Sequence, residues 1–272
     1  MTTRVTDSVF SGSVPQLYDT YLVPLIFQPY AAEVASRLSK LPVSRVLEIA
    51  CGTGVVTRAM SSMLPGSVQI VATDLNQPML DYASASGIKR DIEWRKADAM
   101  ALPFQDETFD AVVCQFGAMF FPDRPKAYSE ARRVLRPGGT FFCSSWDRIE
   151  ENEFADTVTT SLESMFPDDP PRFMARTPHG YHDVEKIRED FRSGGFGDQP
   201  VETIAARSRA ESPRIVAIAY CEGTPLRDEI EARDASRLAE ATRVATDAIA
   251  SKFGSGEVDG KIQAHLIVAQ RY

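Results

Sequence analysis

The chain has 272 residues, and its 30 Lys and Arg against 38 Asp and Glu give a formal net charge of −8. Because 43% of the residues are hydrophobic and 25% are charged, the chain can bury one large core or two small ones, which excludes an intrinsically disordered protein. The acidic balance also argues against an extended nucleic-acid surface, which would need clustered Lys and Arg.

Three features indicate a cytoplasmic protein without a membrane partner. The first twenty residues lack the basic start and apolar stretch of a secretion signal. The apolar run from Tyr21 to Phe27 is broken by Pro24 and is too short to cross a bilayer. The four cysteines are widely spaced and form no CxxC pair, which argues for reduced thiols rather than a zinc site or disulfides.

Five strand-like runs alternate with helical ones through the first half of the chain. The strands are predicted at 45–51, 69–75, 92–98, 109–116 and 140–146, and the helices at about 31–41, 53–64, 76–86 and 125–135. Such alternation is typical of parallel strands joined by right-handed crossovers. The predicted fold class is therefore α/β, a doubly wound sheet with helices on both faces.

The pattern changes after Trp146. Helices are predicted at about 152–165 and 183–192, a strand at 201–207, one long helix from about Pro225 to Phe253, and a last strand at 262–269. The two added strands complete a seven-stranded, mostly parallel, Rossmann-like sheet.

A glycine-rich turn follows the first predicted strand in the run VLEIACGTG (46–54). A strand that leads into such a turn and then a helix brings backbone N–H groups and the positive helix end close to a ligand. Gly52 and Gly54 would let the ligand approach the backbone. The alternative is a turn that needs its glycines only for its shape.

A carboxylate at the end of the second predicted strand favours a nucleoside ligand. Asp74 follows Gly52 by 22 residues, which in a doubly wound sheet places it where it can accept hydrogen bonds from both ribose hydroxyls. NAD is disfavoured, since a GxGxxG motif beginning at Gly52 would need glycine where Thr57 stands. No GxxxxGK[ST] run is present, which disfavours a P-loop nucleotide site.

Five segments in order carry a family resemblance: VLEIACGTG, VATDLNQPML, KADAMALPF, FDAVVCQFGAMFF and RVLRPGGTFF. They resemble the successive motifs of the class I S-adenosylmethionine-dependent methyltransferases, above all the small-molecule branch with the ubiquinone and menaquinone biosynthesis C-methyltransferases. The resemblance covers about residues 43–146. It implies S-adenosylmethionine as the cofactor and a small-molecule methyl acceptor as the partner.

The resemblance also implies which residues hold the cofactor. Glu48 would lie near the amino group of the methionine moiety, Asp74 would hold the ribose, and Asp98 would accept from the adenine amino group. The other implied contacts are Ala50, Gly52, Gly54, Leu75, Met79, Ala99, Gln115, Phe116, Tyr18 and Tyr21. The alternatives are a turn brace for Glu48, a turn cap for Asp98, and ordinary packing for the two tyrosines.

Ala50 departs from the family, in which a glycine is commoner at this position. With an ordinary negative φ the alanine would cost little, so we expect cofactor binding to be retained.

The same reading divides one methyltransferase domain, 1–272, into functional parts. An N-terminal helical cover (1–42) precedes the cofactor-binding half (43–146). A helical substrate cover (147–198 and 213–258) and closing strands (199–208 and 261–271) follow. We expect this cover to set the choice of acceptor with residues such as Phe154, Phe166, Phe173, Met174, Tyr181 and Tyr220.

The sequence offers only weak candidates for a catalytic base. His179 and His182 follow a proline-rich loop, where the family places substrate-facing elements, but Asp183 as a helix cap and His182 as its neighbour explain the run more simply. No third ligand accompanies the two histidines, so no metal site is predicted. A sulfonium is already a good leaving group, and its methyl transfer needs no metal.

We therefore expect a methyltransferase that acts on a small organic molecule by direct displacement. The alternative from another class is a regulator that binds S-adenosylmethionine without transferring its methyl group, and a dinucleotide oxidoreductase is the weaker rival. The acceptor, the methylated atom and the presence of a homodimer stay open.

Overall fold

The computed structural model describes residues 14–272, and one seven-stranded sheet in the order β3-β2-β1-β4-β5-β7-β6 forms its centre. The strands are β1 (Arg45–Ile49), β2 (Gln69–Asp74), β3 (Glu93–Lys96), β4 (Phe109–Gln115), β5 (Leu135–Trp146), β6 (Val201–Ala210) and β7 (Val258–Gln270). Strands β1 to β5 are parallel, whereas β7 runs antiparallel to both β5 and β6. The predicted α/β class and mostly parallel sheet are confirmed.

Eleven α-helices of the described chain surround this sheet. They are α1 (Val14–Leu17), α2 (Gln28–Leu38), α3 (Val55–Met63), α4 (Gln77–Ser84), α5 (Arg124–Val134), α6 (Glu153–Glu163), α7 (Phe173–Arg176), α8 (Val184–Ser193), α9 (Pro213–Cys221), α10 (Leu226–Asp234) and α11 (Leu238–Phe253). Asp123 caps α5 by accepting from the N–H of Lys126, and Asp183 likewise caps α8. No helix within residues 14–272 is long and apolar enough to span a membrane.

Alternate residues of the central strands enter two different cores. Val46 and Val113 pack in a cluster with α2 and α3, whereas Leu47 and Val112 pack in a larger cluster with α5 and the helices of the second half. Because successive side chains of a strand point to opposite faces, this division places helices on both faces of the sheet. Strands β1 and β4 are buried over nearly their whole length, as parallel strands covered on both faces require.

The prediction of one long helix from Pro225 to Phe253 is wrong. A 3₁₀ turn, Ala235–Arg237, separates α10 from α11. Asp234 has an extended φ of −160°, and its Oδ1 accepts hydrogen bonds from the backbone N–H and the hydroxyl of Ser236. Short polar side chains of this kind compete with the helix for backbone groups, which an apolar periodicity does not reveal.

The described part of the predicted N-terminal cover is helical from Val14 to Leu38, while residues 1–13 of that range lie outside the description. Its middle, Tyr18–Phe27, is a ten-residue π-helix that contains Pro24. Long π-helices are rare, and π-helical turns are frequent at functional sites. We call this segment the aromatic wall, because it carries Tyr18, Tyr21 and Phe27.

Candidate active site

A cleft of about 1140 Å³, counted with its open mouth, lies at the carboxyl ends of the parallel strands. This edge is where ligands bind in open α/β sheets. Of the residues predicted to bind the cofactor, those that line the cleft are Tyr18, Glu48, Ala50, Gly52, Asp74, Leu75, Met79, Asp98, Ala99, Gln115 and Phe116. Gly54 and Tyr21 are not among the described residues of this lining. Tyr21 instead packs, half-buried, against the hydrophobic core.

The carboxylate of Asp74 is fixed by the backbone at the end of β2. Its Oδ2 accepts the N–H of Gly52 at 2.8 Å, and its Oδ1 accepts the N–H of Asn76 at 2.8 Å. Oδ1 also accepts a hydrogen bond from the side-chain Nδ2 of Asn76 at 3.4 Å. Because each carboxylate oxygen can accept two hydrogen bonds, Oδ2 keeps the capacity to receive a ligand hydroxyl. Burial raises the pKa of Asp74, and these backbone hydrogen bonds oppose the rise. The arrangement suits a hydroxyl donor on a ligand in the cleft.

Glu48 lies deeper in the cleft, near the end of β1, and is only 2% exposed. The hydroxyl of Thr57 donates to its Oε2 at 2.5 Å. Thr57 stands where a dinucleotide motif has glycine, so its side chain has a structural task here. Burial raises the pKa of Glu48 to about 8, which the bond from Thr57 and the charge of Arg58 only partly oppose. A cation bound beside Glu48 would stabilise the ionised form.

The two glycines of the turn after β1 have different surroundings. Gly52 has a φ of +55°, and a Cβ added there would meet no atom within 4 Å, because it would point into the cleft. Gly54, with a φ of +84°, precedes α3, and an added Cβ would lie 3.3 Å from Ala83 Cβ and 3.4 Å from Trp94. Gly52 therefore faces the ligand space, while Gly54 lets the turn pack against α4 and β3.

The expectation of a negative φ at Ala50 is wrong. Its φ is +55°, in the left-handed region, which costs a residue with a Cβ about 1–2 kcal/mol. Its methyl group is accommodated by Gly117, where an added Cβ would come within 2.6 Å of Ala50 Cβ. The departure from glycine at position 50 is thus matched by the missing side chain at position 117.

The loops after β2 and β3 form the opposite end of the cleft. Oδ1 of Asp98 accepts the N–H of Met100 at 2.8 Å, so this carboxylate caps a turn and lines the cleft at the same time. Leu75 is 53% exposed at the cleft, an unusual position for a large apolar residue, whereas Met79 is buried. An exposed apolar side chain beside polar groups can pack against one face of a ligand ring.

The end of β4 supplies an unsatisfied polar atom. Gln115 is 9% exposed, and its Nε2 donates to the carbonyl of Phe27 at 3.5 Å. Its Oε1 has no hydrogen-bond partner among the described residues. A buried acceptor without a partner is costly, and a ligand N–H or O–H in the cleft would satisfy it.

A second cavity of about 420 Å³, again counted with its mouth, adjoins the first. Most of its lining is aromatic or aliphatic, and none of the described residues in it is Asp, Glu, Lys, Arg or His: Tyr18, Leu22, Ile26, Phe27, Phe116, Met119, Phe120, Trp146, Phe173, Met174, Pro178, Thr224 and Pro225. Four of these residues also line the cleft, and all four are aromatic: Tyr18, Phe27, Phe116 and Phe120. We call these four residues the aromatic junction.

Phe116 is the centre of this junction. Its ring stacks on Trp146 with centroids 3.9 Å apart and planes 4° from parallel, and Phe27 packs against both rings. Its φ of +54° is a strained value for an aromatic residue. Strained backbone persists only where the surroundings enforce it, and it clusters at functional sites.

Only part of the predicted cover faces the second cavity. Phe173 and Met174 line it, whereas Phe154, Tyr181 and Tyr220 are buried in the hydrophobic core, and Phe166 lies beneath the guanidinium of Arg237. The sequence shows that these residues are apolar but not which of them turns toward a cavity.

The two histidines are not among the described residues that line either cavity. His179 is buried, its Nδ1 lies 2.8 Å from the carbonyl oxygen of Asp147, and burial lowers its pKa to about 4. His182 is exposed, with its Nδ1 2.7 Å from the carbonyl oxygen of His179. Their catalytic use stays a prediction without geometric support. Within residues 14–272, no three His, Cys, Asp or Glu side chains come together as metal ligands.

Sequence reasoning missed part of the site. Thr53, Phe27, Phe120, Phe121 and Pro122 line the cleft although no role was predicted for them. The signal for Phe120 and Phe121 was present in the motif FDAVVCQFGAMFF, whose last two residues these are. Phe27 was expected only as a member of the N-terminal cover, and its place at the end of the π-helix could not be predicted.

Comparison with known proteins connects this geometry to a reaction. Residues 47–143 match the family model described as a methyltransferase domain. The chain is 27% identical over 202 residues to the ubiquinone/menaquinone biosynthesis C-methyltransferase of Zymomonas mobilis, covering 70% of this chain and 77% of that protein. Residues 47–143 thus match a methyltransferase domain, and the chain is similar to the class I S-adenosylmethionine-dependent methyltransferases.

Two further likenesses agree with this assignment. The demethylmenaquinone methyltransferase of Thermus thermophilus is 43% identical over 104 residues, which cover 38% of this methyltransferase and 46% of that protein. A Haemonchus contortus phosphoethanolamine N-methyltransferase, solved with phosphomonomethylethanolamine and S-adenosylhomocysteine, superposes with a TM-score of 0.57 at 18% identity. That match covers 95% of this chain and 56% of the other, and it supports the fold alone.

Proposed function

We propose that this methyltransferase transfers the methyl group of S-adenosylmethionine to a small, apolar organic acceptor in the cytoplasm. The observation that carries the proposal is the aromatic junction, through which the second cavity adjoins the cleft. A methyl group can pass between two ligands only where their sites meet.

The cofactor has one orientation that matches the polar groups of the cleft. Asp74 takes the ribose hydroxyls, Asp98 and Leu75 take the adenine, and Glu48 takes the amino group of the methionine moiety. Gln115 Oε1 gains a partner at the methionine end. The sulfonium then lies at the aromatic junction, whose ring faces favour a cation.

The reaction is a direct displacement. An electron pair of the acceptor would form the new bond to the methyl carbon while the carbon–sulfur bond breaks, and the sulfur would keep the electrons of the broken bond as a neutral thioether. A proton carried by the nucleophile leaves to solvent. Much of the acceleration comes from alignment of nucleophile, methyl carbon and sulfur, which the two adjoining cavities impose.

A turnover assay with labelled S-adenosylmethionine tests the proposal. The panel contains phenols, quinols, amines and carboxylic acids, with quinols first because the two relatives above are named for ubiquinone and menaquinone chemistry. We expect Phe173→Ala to raise the KM for the acceptor and to leave the Kd for S-adenosylhomocysteine within twofold. Phe166→Ala is the matched control, since Phe166 belongs to the same cover but is not among the described residues of either cavity.

The alternative functions give different results. Tight binding of S-adenosylmethionine without methyl transfer to any acceptor would favour the regulator. Tighter binding of NAD than of S-adenosylmethionine would favour the oxidoreductase. An acceptor KM that changes equally in Phe173→Ala and Phe166→Ala would contradict the second cavity as the acceptor site.

A further inference from the structure

Arg58 joins the aromatic wall to the glycine turn. Its Nη2 donates to Oδ1 of Asp19 at 2.6 Å, and its Nη1 donates to the carbonyl of Thr53 at 2.7 Å. Asp19 belongs to the wall, Thr53 to the turn after β1, and Arg58 to α3. One guanidinium therefore connects the aromatic wall to the turn after β1. These two segments are far apart in the sequence, and both line the cleft.

The neighbour of Asp19 is the residue that this bridge positions. Tyr18 lines both the cleft and the second cavity, and its ring stacks on Phe27 with centroids 5.2 Å apart. Burial, followed by the negative charges of Asp74 and Asp19, raises the pKa of Tyr18 above its usual range. Tyr18 and Asp74 thus line the same cleft, and Tyr18, like Phe27, also lines the second cavity.

We propose that Asp19 and Arg58 are positioning residues, and that their ion pair holds the aromatic wall closed over the cofactor with Tyr18 at the junction. The inference rests on the proposed function for the identity of the ligand, but the pair and its contacts do not. The side chains are 20% and 30% exposed, so solvent weakens the pair. A weak pair of this kind permits the wall to open when the product leaves.

A second contact makes the position of Asp19 specific. Its Oδ2 lies 3.5 Å from the hydroxyl of Tyr82, at the outer limit of a hydrogen bond, so α4 also approaches this carboxylate. Asp19 consequently faces α3 through one oxygen and α4 through the other. Loss of its charge would loosen the wall from both helices.

Two measurements test the pair, with S-adenosylhomocysteine as the probe. We expect Asp19→Asn and Arg58→Met each to raise the Kd about fivefold, mostly through faster dissociation, and the double variant to add little to either single change. The charge exchange Asp19→Arg with Arg58→Asp should restore at least half of the lost affinity. Arg243→Met is the control, because the pair of Arg243 with Asp247 is exposed on α11.

Hydrogen exchange of the free protein gives an answer that does not depend on the cofactor. Residues 18–27 should exchange faster in Asp19→Asn than in the wild type, and at the wild-type rate in Arg243→Met. Unchanged exchange in residues 18–27 would overturn the inference whether or not the protein transfers methyl groups. If residues 18–27 exchange faster in Asp19→Asn but the wild type transfers no methyl group to any acceptor, the positioning pair is retained and the proposed function is rejected.

Discussion

Ala50 and Gly117 form a pair whose coupling can be measured. Replacing Ala50 by glycine should relieve the strain of its φ of +55°, about 1–2 kcal/mol. Two effects oppose this gain in stability. Glycine has greater freedom in the unfolded chain, which costs about 0.4–1 kcal/mol, and the loss of part of a buried methyl group costs at most about 0.8 kcal/mol. The net expectation for Ala50→Gly is a gain of about 0.5 kcal/mol in the free energy of unfolding.

Gly117→Ala should act in the opposite direction. Gly117 has a φ of −101°, so the backbone accepts alanine without strain. The added Cβ, however, would lie 2.6 Å from Ala50 Cβ and 3.0 Å from Cys114 Sγ. Overpacking of this kind costs about 1–3 kcal/mol. In the double variant the closer contact disappears, so we expect it to be more stable than the sum of the single effects by about 1 kcal/mol.

Urea unfolding of the four proteins measures this coupling. Glu107→Gly is the control, because Glu107 shares the φ of +55° but is exposed in a turn away from the cleft. It should show no coupling to Gly117→Ala. Additive effects of Ala50→Gly and Gly117→Ala would refute the reasoning, and so would a loss of more than about 1 kcal/mol in Ala50→Gly.

Three further predictions concern the cleft. Asp74→Ala should weaken binding of S-adenosylmethionine by about 1.5–3 kcal/mol per lost charge-assisted hydrogen bond, and calorimetry that shows an unchanged Kd would contradict the ribose contact. Because folding raises the pKa of Glu48 from 4.5 to about 8, its carboxyl is protonated in the free protein at pH 7. The contribution of Glu48 to the free energy of unfolding should therefore be highest below the unfolded pKa and should fall as the pH rises through the folded pKa of about 8. Binding of the cationic cofactor at pH 7 should therefore release about one proton in calorimetry in two buffers, and Glu48→Gln should release none. Turnover should survive chelator treatment, and loss of activity restored by a divalent ion would return His179 and His182 to the candidates for a functional site.

The sheet and the cleft could be predicted because their signals are local. Parallel strands show as short apolar runs, and their carboxyl ends share one edge, so Asp74 could be placed beside Gly52 from the sequence alone. The hydrogen bond between these two residues, 2.8 Å long, is the result of that topology.

The second cavity could not be predicted, because its residues come from segments far apart in the sequence. Leu22, Trp146 and Phe173 each look like ordinary core residues in their own segments. The positive φ of Ala50 could not be predicted from the neighbouring sequence either. Alanine favours negative φ, and here the path of the turn between β1 and α3 overrides that preference.

Strain and aromatic packing occur together at the point where the two cavities meet. Ala50 and Phe116 are two of the three described non-glycine residues with positive φ, and both line the cleft. Gly117, which follows Phe116, leaves room for the methyl group of Ala50, so the strain at one strand end is tied to the packing at the other. The strand pairing of β1 with β4 holds these two ends together. A backbone held this way presents the ring of Phe116 to both the cleft and the second cavity without rearrangement, which is what the proposed alignment of an acceptor with a sulfonium methyl group would require.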